Sequence, residues 1–489
     1  MDQKKTPGVY IVEEPAFPNS VVEVPTGIPA FLGYTEQAMD GTTSIAGVPT
    51  RVTSMSEFEH LFGYGPTRTY TRTNTAGVVT FANAAKDFYL YHSLQLYFNN
   101  GGGPCWIVSV ASYATAKHSA SEFTDDIWKA LAKISEPSMY VVPDAVALSR
   151  ADYKAVCDAS FKQCTTLANR VALFDIYDGG VGSQIADVID GTTSGQEGFR
   201  NLISFPDEPS YGMAYYPWLN TNIIDASAID YTHLDTASIA ALEKEMAAAT
   251  ATPTPATLLS NMTDKSVTGT AVTRTHNALM SVSKIYQDAM TGLLAAVNVL
   301  PPAAAMAGVF ARTDASRGVF KAPANTGVVS VLSPTVAISD QQQEDLNVPM
   351  FGQAVNAIRA FPGRGVLVWG ARTLDGNSQD YRYINVRRTL IMLEQSVFFA
   401  AQAYVFEPNV AGTWSAVKTM LENFLNNQWK AGALAGSTPK EAYDVNVGLG
   451  TTMTGVDVLD GYMRITVHVA ISRPAEFIVI TFQQKMQTS

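Results

Sequence analysis

Six arginines fall within thirty residues, Arg359, Arg364, Arg372, Arg382, Arg387 and Arg388, interleaved with Trp369, Tyr381 and Tyr383. Guanidinium groups beside aromatic planes are the chemistry of phosphate and base recognition. Here Asp375, Asp380, Glu394 and Glu407 are mixed among them, and the whole chain carries a formal charge of -11. A nucleic-acid partner needs a surplus of positive charge on some face. The arginines are therefore read as partners of carboxylates that hold loops or subunit interfaces, with Arg372, Arg387, Arg388 and Glu407 the candidates for that role.

The other residue types with chemical potential lack the spacing their chemistry needs. Gly101-Gly102-Gly103 follows a helical pattern, whereas a phosphate loop leads from a strand into a helix so that the helix N-terminus meets the anion. A glycine cap and turn is the reading. Asp175, Asp178, Asp187 and Asp190 crowd around Gly179-Gly180, but a calcium loop sets its acids at alternate positions and closes on a glutamate. The six histidines, His60, His92, His118, His233, His276 and His468, have no His-x-x-x-His or Cys-x-x-Cys companion, so no zinc site is expected. Cys105, Cys157 and Cys164 are too few for a disulfide framework, and Cys105 reads as a buried thiol rather than a nucleophile. There is no Gly-x-Ser-x-Gly, no Walker loop and no Gly-x-Gly-x-x-Gly after a strand. The expectation is a protein that is not an enzyme, with no cofactor and no metal.

These residues sit on a chain of 489 residues, 47% apolar and 16% charged, enough to bury several domains. The first residues lack the charged-then-apolar pattern of an export signal, and no apolar run reaches the length of a membrane span. Synthesis in a reducing cytoplasm and no stable membrane insertion are expected. A strand is expected from Ala30 to Tyr34 and a long amphipathic helix from Phe81 to Phe98, with Phe88, Tyr91, Leu94 and Phe98 along its stripe. Strands from Cys105 to Val110, Ser138 to Val142 and Arg170 to Ile176 then alternate with helices from Ser121 to Ile134 and Ser149 to Cys164. That βαβ rhythm implies a mostly parallel sheet covered by helices. After a strand from Tyr211 to Leu219 comes an Ala/Thr/Ser-rich stretch from Asp225 to Val297, with helices from Thr236 to Ala247 and Thr275 to Val297, read as a peripheral insertion. Beyond it the pattern gives strands at Gly365 to Trp369 and Tyr381 to Val386. Helices follow at Arg388 to Tyr404 and at Thr413 to Ala433, with Thr413 as N-cap. Strands from Ala442 to Val447 and Arg464 to Ser472 close the body.

At both ends lie strands with no partner nearby. Val9, Tyr10, Ile11 and Val12 are apolar on both faces, and Pro7, Pro15, Pro18, Pro25 and Pro29 around them forbid a local hairpin. Phe477, Ile478, Val479 and Ile480 make a similar run at the other end. Such strands pair at a distance, and the partner expected is another molecule.

Pro7-Gly8-Val9-Tyr10-Ile11-Val12-Glu13-Glu14 resembles the opening of contractile tail sheath proteins, found in phages, R-type pyocins and extracellular contractile injection systems. The resemblance continues in order through Tyr215-Tyr216-Pro217-Trp218, Gly308-Val309-Phe310-Ala311-Arg312-Thr313-Asp314, Lys321-Ala322-Pro323-Ala324-Asn325, Val368-Trp369-Gly370-Ala371-Arg372-Thr373-Leu374, Asn385-Val386-Arg387-Arg388 and Phe406-Glu407-Pro408-Asn409. Asn100-Gly101-Gly102-Gly103-Pro104-Cys105 is similar to injection-system sheaths in particular. The match covers the first hundred residues and most of Tyr211 to Ser489, with the insertion after Asp225 poorly matched. It implies a helical homo-polymer, with room for paralogous sheath subunits, around an inner tube protein. Baseplate and terminal cap proteins are the other partners implied. The sheath would contract to drive the tube through a target envelope, in a particle made in the bacterial cytoplasm and released, or in a virion tail. It also implies that the terminal arms of neighbours augment a sheet in a third subunit, and that a helix of the C-terminal domain faces the tube. The helix starting at Thr413 is the candidate, through Lys418, Glu422, Asn426 and Lys430.

The expected class is mixed α/β, with a mixed sheet flanked by helices. Its divisions are an N-terminal arm at 1–25, outer α/β material at 26–345 containing the insertion at about 225–297, a core domain at 346–472 and a C-terminal arm at 473–489. Two rivals stand beside the sheath: a soluble α/β enzyme using the strand ends near Pro143-Asp144 and Asp175, and a monomeric binding module whose arms fold back on their own chain.

Overall fold

The structure, a computed structural model, describes residues 20–75, 77–83, 87–180, 184–192, 195–249, 254–264 and 266–480. Val9, Tyr10, Ile11 and Val12 lie outside the described residues. Contacts divide the chain into two compact units. The larger runs from Pro25 to Arg388 and takes back the chain from Arg473 on; the smaller is Thr389–Ser472 with the described residues 20–24.

The larger unit is built on a nine-stranded mixed sheet. Its strands are β1 (Pro29–Thr35), β2 (Thr50–Val52), β3 (Cys105–Ser112), β4 (Met139–Val141), β5 (Val171–Asp175), β6 (Gly212–Tyr216), β7 (Thr326–Gly327), β8 (Val355–Phe361) and β9 (Gly365–Val368). They lie in the order β7-β9-β8-β6-β5-β4-β1-β3-β2, with the six from β8 to β3 parallel. Every residue of β1, β4, β5 and β6 is buried, the mark of parallel strands covered on both faces. The βαβ rhythm of the sequence is thus present in space. Covering helices include α1 (Leu90–Asn99), α2 (Arg150–Leu167, capped by Ser149) and α3 (Ala303–Arg317). α3 begins with small residues because it passes very close to α1: a Cβ on Gly308 would stand 2.5 Å from the Tyr97 carbonyl oxygen.

The long helix expected from Phe81 to Phe98 is instead a strand, Val78–Asn83, followed by the shorter α1. Val78, Val79 and Thr80 are β-branched, and the strand pairs with Tyr70–Thr75 from Tyr70↔Asn83 to Thr75↔Val78, which rewards that branching. Four helices, Thr236–Ala247, Ala256–Thr263, Thr270–Val282 and Lys284–Val297, form a bundle in the stretch at about 225–297. The single helix expected from Thr275 is two, divided at Ser283, which caps the second. The hairpin belongs to this bundle. Tyr70 lies in its core, Phe81 packs against it, and the Arg72 guanidinium donates to both Glu245 carboxylate oxygens at 3.0 and 2.8 Å.

The smaller unit holds the end of α4 (Ile384–Ala401), the helix α5 (Ala411–Ala431) and a two-stranded antiparallel sheet of β10 (Tyr443–Val447) and β11 (Ile465–Val469). α4 starts at Ile384, where a strand to Val386 was expected; only the single bridge Arg372↔Tyr383 is extended there. α5 starts before Thr413. Its N-cap is Val410, and the Thr413 hydroxyl donates instead to the Pro408 carbonyl at 2.6 Å. Val417, Met420, Leu421, Phe424 and Leu425 give α5 its buried stripe. Residues 346–388, grouped with the C-terminal domain in the sequence reading, contribute β8 and β9 to the sheet of the larger unit. No helix among the described residues is long and apolar enough to cross a membrane.

Candidate functional site

In a doubly wound sheet, ligands bind where neighbouring strands send their connections to opposite sides. Here that point lies between the carboxyl ends of β1 and β4, and it is filled. Asp144, just past β4, is fully buried and accepts backbone N–H bonds from Tyr34 (2.7 Å), Tyr89 and Leu90 (3.2 Å). The last two belong to the first turn of α1, so a carboxylate of the chain occupies the place a bound phosphate would take. Burial raises the Asp144 carboxyl to about 6 against the lowering effect of these three bonds. Tyr34 stacks on His118 and meets Phe88 and Phe123 edge-on above it.

Asp175, at the end of β5, repeats the device. It accepts from the Ala303 N–H at 2.6 Å at the start of α3, and burial raises it to about 7. The void beside it, lined by Tyr140, Val142, Tyr153 and Asp175, measures about 10 Å³, room for a single water. Asp178 and Asp190 are drawn off to Arg150 and Arg200, at 3.0 and 2.8 Å.

The arginine cluster is a set of separate buried contacts. Arg388 donates to both Asp314 oxygens at 3.0 and 2.5 Å and to the Thr26 carbonyl, with its guanidinium over the Phe310 ring. Arg387 lies between the rings of Tyr381 and Tyr211, 3.8 and 4.4 Å from their centroids, with Glu208 at 3.5 Å. Arg372 pairs with Glu476 at 2.6 Å. All three are buried inside the larger unit. Glu407 is exposed in the smaller unit, next to Phe406, which holds a positive φ of 70° and is fully exposed. Asp314 and Glu476, the strongest partners, were not among the acids singled out from sequence. Nothing in local spacing links Glu476 to Arg372, which lies 104 positions earlier.

At the C-terminal end, Phe477, Ile478, Val479 and Ile480 are 71, 78, 89 and 70% exposed and belong to no ladder. Four consecutive large apolar side chains in water mark a surface built to be covered. The β10–β11 pair supplies what such a strand needs. Ala470 N–H bonds to the Ala442 carbonyl, so by strand alternation the N–H and C=O groups of Val467 and Val469 face away from β10. Among the described residues no strand pairs with that side.

On α5, Lys418 and Glu422 stand 3.7 Å apart and are half-buried, as is Asn426, while Lys430 is exposed. Glu422 lies near enough to Tyr443 on β10 to help burial raise the phenol. Ser415, Thr419, Asn423 and Asn427 make an exposed row on this helix. A further exposed apolar group on the smaller unit, Phe398, Val405, Phe406, Leu459 and Tyr462, had no signal in the sequence beyond Phe406-Glu407-Pro408-Asn409. It is tied together by an Asn409 side-chain bond to the Tyr462 carbonyl at 3.0 Å.

The Phage tail sheath protein central domain family matches residues 228–374, and the Phage tail sheath C-terminal domain family matches residues 377–485, together more than half of the chain; the first match contains nearly all of the stretch after Asp225 that was expected to match poorly. The chain belongs to the phage tail sheath protein family. The tail sheath protein of Enterobacteria phage T4 is 26% identical to this sheath chain over 187 residues, 37% of the chain and 27% of the phage protein. The chain spans about a quarter of the length of the curated relatives it matches. Among solved structures, the PVC sheath complex of an extracellular contractile injection system, in its contracted state, is 25% identical with a TM-score of 0.60. That match covers 99% of the chain and 98% of its counterpart. The helical sheath of the anti-feeding prophage (AFP), contracted, is 27% identical with a TM-score of 0.60, over 99% and 100%.

Proposed function

We propose that this chain is the structural subunit of a contractile sheath, polymerising helically around an inner tube and contracting to drive the tube through a target envelope. The observation that carries the proposal is the end-to-end likeness to sheath subunits of two injection systems. That likeness also favours an extracellular contractile injection system over the tail of an infectious phage. The physical basis is local. Each subunit offers an apolar arm with no partner of its own and a two-stranded sheet with an open edge. A strand donated from one copy to the next makes a heterologous contact, and such contacts propagate into helical filaments unless they close. Val9, Tyr10, Ile11 and Val12 serve as the second arm.

The chain performs no chemistry in this reading, because the place where the sheet would bind a ligand is occupied by Asp144 and an aromatic cluster. Its partners are copies of itself or paralogous sheath subunits, an inner tube protein against α5, and baseplate and cap proteins. Synthesis is cytoplasmic and the finished particle is released. Electron microscopy of the purified full-length chain tests this. Long tubes or stacked rings support it, and a monodisperse monomer at high concentration rejects it.

A further inference from the structure

The C-terminal arm does not leave the molecule freely. Arg473 approaches Asp380, and three residues later the Glu476 carboxylate is gripped from three directions. Arg372 donates through Nε at 3.0 Å and Nη2 at 2.6 Å, Asn347 through Nδ2 at 2.7 Å, and Tyr383 through its hydroxyl at 3.0 Å. Arg372 is only 3% exposed, and its guanidinium also donates through Nη1 to the Gly376 carbonyl at 3.0 Å. Removing Glu476 would leave a buried guanidinium with no counter-charge, a state proteins avoid. Bidentate pairing of this kind also fixes direction, since the planar fork admits one approach of the carboxylate. Immediately afterwards the chain changes character, and Phe477 to Ile480 stand in solvent.

We propose that Glu476, held by Arg372, Asn347 and Tyr383, is the anchor of the C-terminal arm: a positioning residue that ties the arm's root to the larger unit and presents Phe477–Ile480 to a second copy of this chain. The inference rests on the sheath reading for its second half only; the anchoring itself is a property of the single chain. A strand tethered at one end with a fixed departure direction loses less freedom on pairing than a loose tail. It also carries any pull on the arm into the nine-stranded sheet through β9 and the loop bearing Arg372, and not through the end of β11.

A nitroxide on Ile478→Cys tests the anchor in the unassembled full-length chain, where the three native cysteines are buried and unreactive. Glu476→Ala is expected to give the label the mobility of a free tail. The double variant Arg372→Leu with Glu476→Gln, which leaves no unpaired buried charge, should do the same while the body stays folded. Exchange of the charges, Arg372→Glu with Glu476→Arg, should recover part of the restraint. Equal mobility in the parent and the double variant overturns the anchor. Tube yield by electron microscopy reads the positioning role, with a fall on the order of ten-fold expected for the double variant. Parent-level yield despite a freed arm overturns that role and leaves the sheath reading standing. A parent chain that forms no tubes defeats the sheath reading, and the label still decides the anchor.

Discussion

The carboxyl edge of the large sheet and the outer edge of β10–β11 are two places in this molecule where a β structure could receive something, and they differ. At the first, Asp144 and Asp175 satisfy helix N-termini that would otherwise bind an anion, and aromatic side chains close the space above Tyr34. At the second, the N–H and C=O groups of Val467 and Val469 face away from β10, and among the described residues no strand pairs with them. The contrast teaches that the polar ends of the large sheet and its helices are satisfied from within the chain, whereas the side of β11 away from β10 has no paired strand among the described residues.

The largest effect that would break this comparison is on the arms. Removing residues 1–14, or all residues from Phe477 on, should abolish tubes while circular dichroism of the body is unchanged. Each donated strand supplies about five backbone bonds worth roughly 1 kcal/mol apiece, besides its apolar burial. Normal tubes from both truncations would mean the open edge is not used. Val467→Pro sharpens the same point from the receiving side. Its N–H faces away from β10, so proline should leave the hairpin paired and cut assembly strongly; Thr466→Pro, whose N–H faces β10, should unfold the pair instead.

The sealed edge gives effects on stability and none on partners. Asp144→Ala strands three buried N–H groups and should cost about 3 kcal/mol in chemical denaturation. Gly33→Ala should do comparable harm, because its Cβ would stand 2.3 Å from an Asp144 carboxylate oxygen. Asp175 provides a pH test. Its folded value of about 7 exceeds that of an ordinary carboxylate, so the native state holds a proton that the unfolded chain has released. Stability from this source is complete at acid pH and is lost as pH rises through 7. Asp175→Asn keeps an acceptor for Ala303 and should be the more stable chain by about 4 kcal/mol at pH 8, converging with the parent near pH 4. The smallest effect is expected on α5. Lys418→Glu with Lys430→Glu should weaken co-assembly with tube protein more than sheath self-assembly, and equal effects on both would place the tube elsewhere.

How much of this was legible in the chain depends on the range of each interaction. The parallel core was readable because strands buried on both faces, such as Ala30-Phe31-Leu32 and Val171-Ala172-Leu173-Phe174, are continuous apolar runs. The Tyr70–Asn83 hairpin was not, because one of its strands is Tyr-Thr-Arg-Thr-Asn-Thr, with little apolar alternation, and Phe81 falls by accident into the helical spacing of Phe88 and Tyr91. The roles of Asp144 and Glu476 were invisible for a different reason: Asp144 meets Tyr34 across 110 positions and Glu476 meets Arg372 across 104. The C-terminal run stood out because Phe-Ile-Val-Ile reads as a strand apolar on both faces with no partner near it in the chain. The candidate row on α5 was taken as the helix's outer face, yet Lys418, Glu422 and Asn426 are half-buried and the neutral row from Ser415 to Asn427 is the more exposed one.

The hairpin that joins the four-helix bundle has a bearing on how such chains are remodelled. Tyr70 sits in the bundle's core, a Cβ on Gly292 would collide with Phe81 at 2.6 Å, and Thr71 and Arg72 are bonded to Asp235 and Ser238. The bundle is therefore built from two stretches far apart in the chain. Exchanging residues 225–297 alone between sheaths would orphan the hairpin, so the transplantable unit is that stretch together with 70–83.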